Sequence, residues 1–151
     1  MRKRSWVWLS LLSLLAACSG GKSGAPVKLH PGRYDVSISN PSPQFGPRSE
    51  TKSLCFTPDH AANFASEPLK DIVPSGDGCD TTPGTRDGNN FGGTRQCTAP
   101  PIDGMTMKMA LNWTGQVEAD AFTIDADASG DFTGHALNSH ITITGKRSGD
   151  C

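Results

Sequence analysis

The sequence predicts an all-β fold with minor α content: a single antiparallel meander sheet, curled or barrel-like, of about seven or eight short strands with one short helix and two disulfides. Three observations predict it. Apolar and polar residues alternate with period two in short runs along the chain. All 17 Gly and 11 Pro lie beyond residue 19 and punctuate those runs. Of the five Cys, four lie in the body, an even number that suits two covalent staples in an exported domain.

Residues 1–17 are a different material. Arg2, Lys3 and Arg4 make a positive start, and residues 6–17 are apolar apart from Ser10 and Ser13. This run is shorter than the about 20 residues that span a bilayer, and it suits a secretory signal. It ends in Leu15-Ala16-Ala17-Cys18, which resembles the bacterial lipobox. That resemblance implies lipidation of Cys18 and removal of residues 1–17. Two or more acyl chains hold a protein stably on a membrane, where one does not. Ser19 rather than Asp follows the Cys, a pattern that resembles outer-membrane sorting. The expected location is the cell envelope, lipid-anchored at the periplasmic face of the outer membrane. Residues 18–31 then form the lipidated Cys and a Gly/Ser-rich tether with a reach of roughly 20 Å. Residues 32–151 form the disulfide-stapled β-domain.

The elements follow in order. Residues 33–39 alternate, with Tyr34, Val36 and Ile38 on one face, and read as a strand. Residues 40–47 hold three Pro and a Gly and read as a loop. Residues 50–56 are a second strand, with Leu54 and Phe56 inward. Thr57-Pro58-Asp59 starts a helix: a hydroxyl cap, a Pro in the first turn and an acid at the positive end of the dipole. That helix runs to about residue 64 or 65 and packs Ala61 and Phe64 on the sheet. Residues 67–78 read as loop. Residues 79–97 make a hairpin about Asp87-Gly88-Asn89, with bulges expected where Pro83-Gly84 and Gly92-Gly93 interrupt its strands. Residues 105–113 alternate most cleanly, with Met105, Met107, Met109, Leu111 and Trp113 on one face. Residues 121–126 are a strand, 127–131 a turn, and 132–137 and 140–145 complete the sheet.

The same hairpin favours one of the three possible cysteine pairings. Cys79 and Cys97 are equidistant from Gly88, so closure there sets them opposite each other, which leaves Cys55 for Cys151. In the chain-entropy model the shorter loop is worth roughly 3 kcal/mol and the longer roughly 4.7 kcal/mol. The body has no C-x-x-C spacing of the redox or zinc kind.

Several of these residues together resemble a family. Pro31-Gly32-x-Tyr34 opens the domain, and Leu54-Cys55-Phe56-Thr57-Pro58 follows a strand. Cys79 and Cys97 come next, then Gly130-Asp131-Phe132-Thr133-Gly134 and the ending Gly145-Lys146-Arg147-x-Gly149-Asp150-Cys151. Residues 31–151 thereby resemble the bacterial exported proteins grouped as domain of unknown function 3617. The resemblance implies a small, signal-bearing, all-β protein with no established activity. Tyr34 departs from the Trp common in the family at that place.

Little in the sequence carries chemistry. Beyond the leader, 11 basic residues face 15 acidic ones, a net charge of −4 with no basic stripe, which argues against nucleic acid as a partner. Asp125, Asp127 and Ser129, followed by Gly130, resemble the first half of a calcium loop, but Ala136 stands where the bidentate Glu belongs. Met105, Met107 and Met109 are soft ligands at alternate strand positions, a pattern that suits Cu(I) but equally a core stripe. The four His, at 30, 60, 135 and 140, have no nucleophile or carboxylate at catalytic spacing, and His135 and His140 are expected to flank a turn. The expectation is a non-enzymatic lipoprotein without cofactor, its catalytic set empty, that binds an envelope partner or a small apolar ligand. Met107, Trp113 and Phe122 are the expected ligand-facing residues. The alternatives are a periplasmic metal-binding protein and an enzyme whose site assembles only on folding.

Overall fold

The computed structural model describes residues 25–41, 47–72, 78–98, 108–132 and 134–151. They form seven strands and one helix: β1 (Gly32–Asn40), β2 (Arg48–Phe56), α1 (Pro58–Asn63), β3 (Cys79–Pro83), β4 (Asn90–Thr98), β5 (Lys108–Val117), β6 (Ala121–Phe132) and β7 (His135–Gly149). All seven strands pair antiparallel in one sheet of order β2-β1-β7-β6-β5-β4-β3. The sheet is open, with β2 and β3 as its edges. From β3 to β7 the chain is a plain meander. The β1–β2 hairpin then docks on the far side of β7, so the link from β2 to β3 joins opposite edges of the sheet.

Alternation sets the two faces. Tyr34, Val36, Phe56, Phe91, Trp113, Phe122, Ile124 and Ile143 point to one face and are buried, while their chain neighbours are mostly exposed. α1 and the turns after it cover part of that inner face. Thr57 caps α1, its Oγ1 accepting from the His60 amide at 3.3 Å, and Pro58 occupies the first turn. Phe64 lies 4.5 Å from the Phe122 ring, 5.6 Å from Phe56 and 5.9 Å from Phe91, so it joins three strands. Residues 67–72, expected as plain loop, carry buried Pro68, Leu69 and Ile72 against the same core.

Both expected disulfides form. Cys79 and Cys97 face each other across β3 and β4 with Cα atoms 4.0 Å apart. Cys55 and Cys151, 5.7 Å apart, reach across β1, because Arg33 pairs with Cys55 on one side and with Gly149 on the other. Leu29 is buried and the His30 amide donates to Ala119 O at 2.7 Å, so these two residues pack with the β-domain, although the sequence reading counts them with a tether.

Three sequence readings are corrected. Residues 127–131 are not a turn: β6 continues through them to Phe132, paired on both sides with β5 and β7. His135 and His140 both lie within β7, which merges two expected strands. Finally, Gly92 and Gly93 cause no bulge, since β3 and β4 keep register from Cys79 to Pro83. Gly93 makes room instead: a Cβ there would lie 2.5 Å from Trp113 Cζ2, its direct cross-strand neighbour. Gly115 opposite Phe91 and Gly145 opposite Phe122 repeat the arrangement. Aromatic rings thus lie over cross-strand glycines at three places, a device that lets a sheet bend while keeping its core dry. The irregularity in register falls at Arg33 and Tyr34 of β1 against β7.

Candidate functional site

The inner face changes character along its length. Near α1 it is sealed. Toward the end where β1 finishes and β7 begins, the same face carries Ile38, Leu111 and Ile141, which are only partly buried, and Met109, which is 43% exposed. β6 shapes this stretch. Its inward residues shrink from Phe122 and Ile124 to Ala126, Ala128 and Gly130. Ala126 is sealed, but Ala128 and Gly130 are only partly buried, so these small β6 residues beside Leu111 and Met109 of β5 leave a shallow, mostly apolar trough.

The expected ligand-facing residues are placed differently. Trp113 and Phe122 are each 3% exposed and are core residues, held by the glycines opposite them. Met107, with Met105, lies outside the described residues, so of the thioether ladder only Met109 is placed. Trp113 also borders a hollow of about 840 Å³ on the outer side of β4 to β6, whose lining includes Gly92, Thr94, Thr114, Gln116 and Asp125. Cys18 and residues 1–17 are likewise outside the described residues.

The acidic stretch sits on the outer face. Asp125, Asp127 and Ser129 stand along one face of an extended strand, with about 6.8 Å between successive members. They do not wrap around a point as a calcium loop does. Asp125 Oδ1 accepts from Thr142 Oγ1 at 3.0 Å, and Asp127 Oδ1 lies 2.8 Å from His140 Nδ1. Among the described residues, no group of three or more His, Cys, Asp or Glu is placed to hold a metal ion.

Three of the four His pair with a carboxylate, which spacing did not reveal. His140 meets Asp127 because the two are register partners on β7 and β6. His30 Nδ1 lies 3.1 Å from Asp120 Oδ1 in the β5–β6 turn. His60 Nδ1 lies 2.6 Å from Asp71 Oδ2, tying α1 to the turns that follow it. His60 Nε2 is sealed with no partner, and its ring stands 4.6 Å from Phe56. Among the described residues, no hydroxyl or thiol hydrogen-bonds to these imidazoles. Tyr34 is fully buried and its hydroxyl donates to His30 O at 2.8 Å. Burial, aided by Asp120 and opposed by Arg147, pushes its pKa up to about 12.

One charged residue of the inner face escaped the sequence reading. Arg95, on β4, is 7% exposed. Its Nε donates to Thr81 Oγ1 at 3.0 Å, and Leu111 is its partner on β5. A strand argument finds it only through its place in the alternation, between the inward Gly93 and Cys97.

An open seven-stranded antiparallel sheet, sealed on part of one face and stapled by two disulfides, defines a small all-β domain. The chain belongs to the family described as Protein of unknown function (DUF3617), whose model matches residues 29–151. No curated protein and no solved structure matches the chain.

Proposed function

We propose that this protein is a non-enzymatic lipoprotein, anchored through Cys18 at the periplasmic face of the outer membrane. Its β-domain binds a small apolar ligand, or an apolar part of an envelope partner, at the trough over Ala128 and Gly130. The observation that carries the binding reading is the incomplete seal. The inner face is largely apolar, yet Leu111, Ile141 and Met109 keep solvent contact beyond the reach of α1. Exposed apolar surface beside a rigid scaffold marks an interaction site. The anchor rests on the basic start, the apolar run and the lipobox-like residues 15–18.

The test is native mass spectrometry of the chain purified from its own envelope. The expected result is a chain beginning at an acylated Cys18, carrying a non-covalent small molecule or an envelope protein. A chain that retains residues 1–17, or one that carries nothing under gentle extraction, overturns the corresponding half of the proposal.

A further inference from the structure

The trough ends beside an unusual group. Arg95 is a guanidinium on an apolar face, more than nine-tenths buried, and no carboxylate among the described residues pairs with it. The contrast with Arg147 is direct, since that residue has both Asp120 and Asp150. A buried charge without a counter-charge is costly, and structures keep such groups paired. The one side-chain hydrogen bond of Arg95 among the described residues uses only Nε, so the terminal amines of the fork have no protein acceptor there and are not sealed.

A second observation points the same way. Trp113 Nε1 is sealed and has no partner. Trp113 and Arg95 belong to adjacent strands and the same face, since Trp113 pairs with Gly93 and Arg95 with Leu111. Trp113 Nε1, a sealed donor without an acceptor, and the Arg95 guanidinium, a cation without a carboxylate partner among the described residues, stand at one end of the trough. An acceptor is what this place lacks.

We infer that the trough takes a long-chain carboxylate, with its headgroup on the Arg95 guanidinium and its tail over Leu111 and Ala128. This rests on the apolar-ligand reading above and names its ligand class. A carboxylate matches the donors in number and charge: two oxygens, one negative charge, against one guanidinium. Guanidinium forks bind carboxylates in a bidentate manner. A phosphate monoester headgroup brings up to two charges, which one arginine does not balance. The tail has a path, because Arg95, Leu111, Ala128 and Ser139 form one cross-strand row over β4, β5, β6 and β7. That row spans about 14 Å at about 4.8 Å per strand.

The test titrates the full chain with oleate below its micelle threshold, by calorimetry and by the shift of a ¹³C-labelled carboxyl. Saturable one-to-one binding is expected, weakened at least tenfold in Arg95→Met and restored in part in Arg95→Lys. Oleyl alcohol, with the same tail and no charge, should bind at least tenfold more weakly and should not distinguish the parent from Arg95→Met. Ala128→Phe fills the trough and should abolish binding with Arg95 intact, so the question is decided even if Arg95→Met does not fold. No saturable oleate binding, or equal binding of oleate and its alcohol, overturns the inference. The outcome is separable from the anchor, which acylation of Cys18 reports. It is also separable from the broader binding reading, which survives if the envelope-purified chain carries a different apolar molecule.

Discussion

At the residue scale the firmest assignments concern side chains whose neighbours leave no choice. Tyr34 has a single buried position and a hydroxyl committed to His30 O. Its pKa is pushed to about 12 in the folded chain, against about 10 when unfolded. Below pH 10 both states keep the proton and stability is unaffected. Between pH 10 and 12 the unfolded state loses the proton first, so stability falls as pH rises. Tyr34→Phe should remove that alkaline loss while lowering stability at neutral pH by about 1 kcal/mol through the missing hydrogen bond. Urea midpoints measured from pH 7 to 12 on both chains check this. Gly145 is a second such residue. A Cβ there would lie 2.1 Å from Phe122 Cε1, so Gly145→Ala should destabilise by about 1–3 kcal/mol, read as a lower melting temperature. A result within error of the parent would show that the ring moves aside freely. The sequence marked Gly92 and Gly93 as breaks, but the purpose of such glycines depends on which aromatic faces them from the next strand.

At the element scale, period-two alternation sorted residues onto faces well. It placed Tyr34, Val36, Leu54, Phe56, Trp113 and Ile124 inward as the structure has them. Local chemistry also marked the start of α1, since a Thr-Pro-Asp cap needs no tertiary help. Thr57→Ala should cost about 1 kcal/mol of stability, measurable by denaturant unfolding. Local chemistry misled at residues 127–131. Asp, Ser and Gly favour turns in isolation, but β6 lies between β5 and β7, and two ladders of hydrogen bonds outweigh that preference. The turns after α1 also went unread, because Pro68, Leu69 and Ile72 follow no strand or helix period. Leu69 is 1% exposed, and Leu69→Ala should cost about 2–5 kcal/mol by opening a cavity in the core. A melting curve that does not move would place the load on other residues.

At the scale of the whole molecule, the two disulfides act differently. Cys55 and Cys151 are 96 residues apart and tie β2 to the chain end beyond β7, while Cys79 and Cys97 are 18 apart and close one hairpin. Removing the first pair by Cys→Ser should cost more than removing the second, about 4.7 against about 3 kcal/mol in the chain-entropy model. Thermal unfolding of the two double variants decides it, and the reverse order would contradict the model for this sheet. The sequence by itself determined the all-β class, the face each alternating residue takes, the helix cap and both cysteine pairs, because these follow from periodicity and local spacing. Only the tertiary structure decided that β1 lies beside β7, that α1 seals just part of the inner face, and that Arg95 stands buried on the same face as Trp113 of the next strand. Alternation says which way a side chain points, but not which strand comes to lie next to it, and neighbours across strands are what make a site.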